Sequence, residues 1–215
     1  LTFSSGSSLD ARQGLVGLSP GVILRFDSAT LMVDSDSPIF SDGSAIVRLD
    51  GASTLAITGS YNISGVGTIL DFAGTVNVTG GTLNVERTAG LDLTGDDIDV
   101  LLTNAGEISV KSGTTTLDGG FSQTNGGRLF IDSTSVDGTA SLDVTNGTLT
   151  NAGLIGLENS DSSGMSSTLT ADVLQNTSEG QILIDYSTPG HLVDAQLINH
   201  GEVYIFADLD LQGNN

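Results

Sequence analysis

LTNAGLIGL at Leu149–Leu157 and LTNAGEISV at Leu102–Val110 are two copies of one short sequence phrase. Each copy places an apolar residue before Asn-x-Gly and then alternates apolar residues with other residue types. Looser copies cover residues 124–131, 174–184 and 197–205. The central Asn residues of the five copies are Asn104, Asn125, Asn151, Asn176 and Asn199, which are 21, 26, 25 and 23 residues apart.

The period of this phrase predicts the fold class. Alternation of apolar and polar residues is typical of short strands that bury one face, and it recurs between the copies, as at Leu55–Ile57 and Leu83–Val85. Gly-Gly, Asp-Gly and Asn-Gly pairs separate these strands and are typical of tight turns. One coil of short strands buries no core by itself, whereas stacked coils do. We therefore predict an all-β protein, a parallel β-solenoid (β-helix) with coils of roughly 20–26 residues.

The regularity of the repeat divides the chain into two parts. Residues 51–215 are predicted to form regular β-solenoid coils. Residues 1–50 contain Pro20 and Pro38 together with a turn-like stretch from Ser35 to Ser44. For this first part we expect either an irregular start of the solenoid or a small β subdomain.

Composition and charge exclude several classes of function. The 215 residues include 26 Asp and Glu but only 6 Lys and Arg, which gives a formal net charge of -20. Nucleic-acid binding depends on cationic side chains that neutralise phosphates, so we exclude a nucleic-acid partner. The absence of Cys removes disulfides and thiolate metal ligands, and no apolar run is long enough for membrane insertion of this segment.

Three stretches of the sequence resemble known bacterial surface proteins. GTVNVTGGTLNV at Gly74–Val85 is similar to the strand repeats of autotransporter passenger domains. The phrases at residues 102–110 and 149–157 resemble the coils of filamentous haemagglutinin-type adhesins. The resemblance covers roughly residues 50–211 and implies a secreted rod displayed at the cell surface, so the expected location is extracellular. It implies no set of catalytic residues.

The repeated Asn residues are expected to have a structural role. Amides stacked at one corner of successive coils can form a hydrogen-bonded ladder along the rod, as Asn side chains do in cross-β stacks. We predict that Asn104, Asn125, Asn151, Asn176 and Asn199 lie in one column, with at least some of their amides inside the protein.

The densest acidic cluster is the candidate metal site. Asp96, Asp97 and Asp99 place three carboxylates within four residues, and hard cations such as Ca²⁺ need several convergent oxygen ligands. The sequence lacks both the Gly-Gly-x-Gly-x-Asp repeats and the EF-hand spacing of calcium-binding proteins. We expect no cofactor apart from this candidate Ca²⁺ site, and a solvated acidic turn is the alternative.

The sequence favours a structural or adhesive function over catalysis. Some β-helices are polysaccharide lyases or glycoside hydrolases, which need convergent carboxylates or a basic residue beside a neutralising group. The six Lys and Arg residues are scattered here, so we expect no enzyme activity. We predict a rod segment of a large extracellular bacterial surface protein. The alternatives are a subunit of a filament, sheath or surface layer that assembles end to end, and a carbohydrate-active β-helix.

Two kinds of partner follow from this prediction. Uncovered strand edges pair readily with other strands, so we expect further coils of the same polypeptide or identical subunits at the ends of the solenoid. A cell-surface or glycan ligand is expected on the outward-facing surface.

Overall fold

The computed structural model describes residues 1–14, 16–34, 39–41, 43–161, 164–185 and 190–213, with the backbone alone described at 39–41 and 145–146. Short strands separated by turns make up most of these residues, and no helix occurs among them. The predicted fold class is confirmed, because the chain is an all-β parallel solenoid. No helix in the described part of the chain could therefore cross a membrane.

The strands of the described residues are short and closely spaced. In chain order they are β1 (Thr2–Phe3), β2 (Ser8–Asp10), β3 (Val16–Leu18), β4 (Ile23–Asp27), β5 (Thr30–Asp34), β6 (Ile39–Ser41), β7 (Ile46–Asp50), β8 (Thr54–Ile63), β9 (Ile69–Ala73), β10 (Asn77–Val85), β11 (Gly90–Thr94), β12 (Asp97–Ile98), β13 (Leu101–Asn104), β14 (Glu107–Leu117), β15 (Phe121–Gln123), β16 (Arg128–Asp132), β17 (Ala140–Asn151), β18 (Leu154–Glu158), β19 (Thr168–Asn176), β20 (Gln181–Ile184), β21 (His191–Asn199), β22 (Glu202–Ile205) and β23 (Leu209–Gln212).

Parallel pairing stacks these strands into three ladders along the rod. Ladder A contains β1, β4, β7, β9, β11, the start of β14, β16, β18, β20 and β22. Ladder B contains β2, β5, the starts of β8 and β10, β12, the end of β14, the starts of β17, β19 and β21, and β23. Ladder C contains the ends of β8 and β10, β13, β15 and the ends of β17, β19 and β21. Strands β3 and β6 form a separate pair.

The number of residues per coil varies along ladder A. Successive partners Phe3, Phe26, Leu49 and Phe72 are each 23 residues apart, so the strands within residues 1–50 join the same ladder as the strands that follow. Later steps shorten to 17 residues, where Leu93 pairs with Val110, and lengthen to 27, where Leu157 pairs with Ile184. Strands must keep their register to bury one face, whereas turns can lengthen into solvent.

One apolar core runs through the middle of the rod. Side chains alternate between buried and partly exposed positions along the strands, and the buried ones form a single cluster from Ala11 to Ala195. At the first coil, the rings of Phe3 and Phe26 stack with centroids 4.9 Å apart. Because each fully buried Val, Leu, Ile or Phe side chain stabilises the fold by about 1.5–3 kcal/mol, this cluster is the main source of stability.

Candidate functional site

A column of five side-chain amides, four of them buried, runs along the end of ladder C. Its members are Asn104, Gln123, Asn151, Asn176 and Asn199, which pair in register from coil to coil. The amide nitrogen of each member donates to the amide oxygen of the next, over distances of 3.0, 3.0, 2.8 and 2.7 Å in chain order. The first four side chains are buried and the fifth is exposed. We call this column the amide ladder.

Asn104 and Asn151 each bond to two backbone groups as well. The amide nitrogen of Asn151 donates to the carbonyl oxygen of Gln181 in the next coil, at 3.0 Å, while its oxygen accepts the backbone N–H of Gly153, also at 3.0 Å. Asn104 repeats the pattern with Arg128 and Gly106. Buried polar groups are costly unless they are paired, so this pairing allows amides to lie within an otherwise apolar interior.

The Gly of the Asn-x-Gly phrase is required by close contact between coils. A Cβ atom built at Gly153 would lie 2.2 Å from the carbonyl oxygen of Gly127, and one built at Gly106 would lie 2.2 Å from that of Glu86. Any larger residue would push the coils apart, because backbone atoms have no rotamer that relieves such a contact. The phrase therefore encodes an amide that ties two coils together and a Gly that lets them approach.

The prediction for Asn125 is wrong. Asn125 is exposed in the turn after β15, and the amide ladder contains Gln123 instead. The turn is two residues longer here than at Asn104, because Gly127, which occupies the position of Gly106, follows Gln123 by four residues rather than two. The structure places Asn104, Asn151, Asn176 and Asn199 in the predicted column.

A signal for Gln123 is present in the sequence. In the other copies the ladder amide comes two residues after an inward-facing Leu, as Asn104 follows Leu102 and Asn151 follows Leu149. Gln123 follows the buried Phe121 in the same way. The alternation of the strand therefore locates the amide better than the distance to the next Gly.

Three carboxylates converge on the outer surface where ladder B turns towards ladder C. Asp97, Asp99 and Asp118 are exposed, and one carboxylate oxygen from each lies within 4.8 Å of the others. Desolvation raises the pKa of Asp97 most, and the nearby negative charges of Asp99 and Asp118 raise it further. Asp118 belongs to the following coil, where its backbone N–H bonds to the carbonyl oxygen of Ile98. Such a group can offer oxygen atoms to a hard cation, and calcium binding here stays a prediction.

Asp96 does not belong to this group, which corrects the predicted set of Asp96, Asp97 and Asp99. The Asp96 carboxylate is buried and accepts the backbone N–H groups of Val76, at 3.0 Å, and Thr94, at 2.7 Å. Its burial raises its pKa to about 7, although the two N–H donors act in the opposite direction. The buried Asp96 side chain therefore connects the backbone at Val76, in the preceding coil, with the backbone at Thr94.

The outer surface of ladder A carries ion pairs in its first half. Asp50 contacts both Arg25 and Arg48, and Arg48 also lies 3.2 Å from Asp71. Further along, the Lys111 ammonium is 2.6 Å from the Asp92 carboxylate. The cations of these pairs are partly exposed, whereas the carboxylates of Asp50, Asp71 and Asp92 are largely buried. The pairs neutralise acids that would otherwise repel one another.

His191 is a buried, neutral side chain at the start of β21. Its Nδ1 accepts the backbone N–H of Ser167 at 3.0 Å, and burial lowers its pKa despite the opposing charge of Asp185. The nearby Ser167 hydroxyl donates to the carbonyl oxygen of Glu158 at 2.7 Å. These contacts join ladder A to ladder B, and they orient Nδ1 towards the backbone rather than towards a serine hydroxyl that it could activate.

Comparison of the chain with protein-family models, with curated proteins and with solved structures found no match.

Proposed function

We propose that this chain is a non-enzymatic rod, a shaft segment of a large bacterial surface protein that is displayed outside the cell. The observation that carries the proposal is the continuity of ladder A, in which ten strands stack without an interruption. At about 4.8 Å per strand, the ladder is about 43 Å long. A rod of this kind keeps the parts of the protein at its two ends at a fixed distance from each other.

The internal contacts favour a load-bearing role. The amide ladder links five successive coils by direct side-chain bonds, in addition to the backbone bonds between strands. The ion pairs between Lys111 and Asp92 and between Arg48 and Asp71 also connect neighbouring coils. Separating two coils therefore requires several bonds to break together.

The extracellular location is supported by the sequence resemblance at residues 74–85, 102–110 and 149–157. The strong negative charge favours solubility of a large exposed surface. Binding of a cell-surface or glycan ligand, and pairing with further coils at the ends of the solenoid, are part of the same proposal.

An antibody raised against this segment tests the proposal in its natural source. On a denaturing blot, we expect a polypeptide several times heavier than the 21.9 kDa of the segment. On intact cells, we expect the antibody to bind and added protease to remove the signal. A band near 21.9 kDa, or a signal that appears only after the cells are broken, would contradict the surface-rod proposal.

A further inference from the structure

A stripe of large apolar side chains lies on the outer surface of the second half of ladder A. Phe130, Gly156, Leu183 and Tyr204 are successive register partners, so their outward positions follow one another along the rod for about 14 Å. The Phe130 ring covers Gly156, where an added Cβ atom would lie 2.8 Å from the ring. Phe206 stacks beside Tyr204 with ring centroids 6.5 Å apart.

This surface, which we call the aromatic stripe (Phe130, Leu183, Tyr204 and Phe206), differs from the rest of the exterior. Tyr204 and Phe206 are 45% and 44% exposed, and Phe130 and Leu183 are partly exposed. The other aromatic side chains that the structure describes are buried or partly buried in the core, namely Phe3, Phe26, Tyr61, Phe72 and Phe121. Aromatic side chains are enriched in protein interfaces, and contiguous exposed apolar surface marks interaction sites.

Three carboxylates border one side of the stripe, and a single carboxylate, Glu202, borders the other. Asp132 and Glu158 are register partners beside Phe130 and Gly156, and Asp185 occupies the next step of that column. On the other side, the Glu202 carboxylate accepts the Tyr204 hydroxyl at 2.9 Å. Burial raises the pKa of Glu158, and the charges of Asp132 and Asp185 raise it further.

Four of the six cations of the chain are engaged in close ion pairs with acids. Arg25, Arg48 and Lys111 pair with acids on the first half of ladder A, and Arg12 pairs with Asp10 near the N-terminus. Arg128, at the near end of the stripe, lies 3.9 Å from Glu107. The second half of the face therefore combines apolar surface with a concentration of negative charge.

We propose that the aromatic stripe binds a basic amphipathic segment of another protein, in which Lys or Arg residues alternate with large apolar residues. The apolar side chains of such a segment cover Leu183 and Tyr204, and its cations face Asp132, Glu158 and Glu202. A second copy of this chain is disfavoured as the occupant, because each copy carries a net charge of -20 and the facing surfaces would repel. The small area predicts a weak, salt-sensitive interaction.

Three synthetic peptides of about eight residues distinguish this binding from general attraction to an acidic protein. In the first, Arg alternates with Leu and Phe; in the second, Ser replaces the apolar residues; in the third, Glu replaces Arg. Titrations followed by NMR of the whole chain are expected to give binding of the first peptide at least about tenfold tighter than of the other two. The shifts should centre on Phe130, Leu183 and Tyr204, and binding should weaken when NaCl rises from about 0.05 M to about 0.5 M.

Matched variants locate the site. We expect Tyr204→Ser and Leu183→Ser each to weaken binding of the first peptide by at least about fivefold. Ile23→Ser is the control, since Ile23 is an exposed apolar residue of ladder A that lies in the half with paired charges, and it should leave binding unchanged. Since Tyr204 is exposed, its variant is expected to fold even if Leu183→Ser does not.

Three outcomes would overturn the proposal. Equal binding of the Arg–Ser peptide would show attraction by charge alone. Equal loss of binding in Ile23→Ser would show that the stripe has no special role. Tighter binding of a neutral oligosaccharide than of the Arg–Leu–Phe peptide, on the same residues, would assign the stripe to a glycan instead.

Discussion

A single amide side chain inside the rod makes several hydrogen bonds at once, both to other side chains and to backbone groups. Asn151 accepts from Gln123 and Gly153, and donates to Asn176 and to the carbonyl oxygen of Gln181. Removing one such amide leaves several buried groups without partners at once. An unpaired buried donor or acceptor costs about 1–3 kcal/mol, which exceeds the net gain from an ordinary hydrogen bond.

Substitution of Asn151 tests the amide ladder. We expect Asn151→Ala to lower the free energy of unfolding by about 3 kcal/mol or more, because Gln123, Asn176 and two backbone groups lose their partners. Asn125→Ala is the control, since Asn125 is exposed in a turn, and we expect a change within about 0.5 kcal/mol. Urea denaturation of both variants measures the difference. Equal effects would show that the amide column adds nothing specific.

The buried carboxyl of Asp96 predicts a pH dependence. The pKa of Asp96 is raised from 3.8, the ordinary value for an Asp side chain, to about 7 in the folded chain, so the folded state holds a proton that the unfolded state releases between these values. Its contribution to stability is therefore full below about pH 4 and is lost as pH rises towards 7. At roughly 1.4 kcal/mol per pKa unit, this loss amounts to a few kcal/mol.

The measurement for Asp96 is the free energy of unfolding at a series of pH values, for the natural chain and for Asp96→Asn. We expect the natural chain to lose more stability than the variant between pH 4 and pH 7, since Asn does not titrate. Glu158, whose raised pKa has no contribution from Asp96, affects both proteins equally. Parallel curves for the two proteins would refute the assignment to Asp96.

The sequence pattern of the strands predicts the fold, whereas the lengths of the turns limit what can be predicted of the site. The alternation within strands and the period of the Asn-x-Gly phrase were enough for the fold class and for four members of the amide ladder. The prediction for the fifth member was wrong because the turn lengths differ. Two extra residues after Gln123 place Asn125 in the turn, outside the column. Asp118 joins Asp97 and Asp99 through stacking of neighbouring coils, a relation that depends on every turn between them. Sequence spacing alone cannot fix that register.

The close approach of the turn at Gly153 to the turn at Gly127 predicts that a larger residue at Gly153 destabilises the fold. We expect Gly153→Ala to cost about 1–3 kcal/mol or more, since its Cβ would lie 2.2 Å from the Gly127 carbonyl oxygen. Gly90→Ala is the control, because an added Cβ there meets its nearest neighbour, Ile69, at an ordinary 3.6 Å. Thermal unfolding followed by circular dichroism compares the two. A similar loss in both variants would mean that Gly153 matters only through backbone freedom.

At the scale of the whole molecule, the two halves of the outer face of ladder A differ in charge. In the first half of ladder A, Arg25 and Arg48 form ion pairs with Asp50 and Asp71, whereas the second half combines the aromatic stripe with carboxylates. A solenoid exposes side chains in a fixed order along its axis, so such halves remain separate over the length of the rod. The proposed spacer role and the proposed docking surface thus use different parts of the same exterior.

Distances between spin labels along ladder A test the central claim, a straight and stiff rod. The chain has no Cys, so labels attach only to Cys introduced at Thr2, Ser109 and Tyr204, which lie in one register column. At about 4.8 Å per strand, we expect narrow distributions centred near 24 Å for Thr2–Ser109, 19 Å for Ser109–Tyr204 and 43 Å for Thr2–Tyr204. The two shorter distances should therefore add up to the longest. A broad distribution for Thr2–Tyr204, or a centre well below that sum, would contradict the rod.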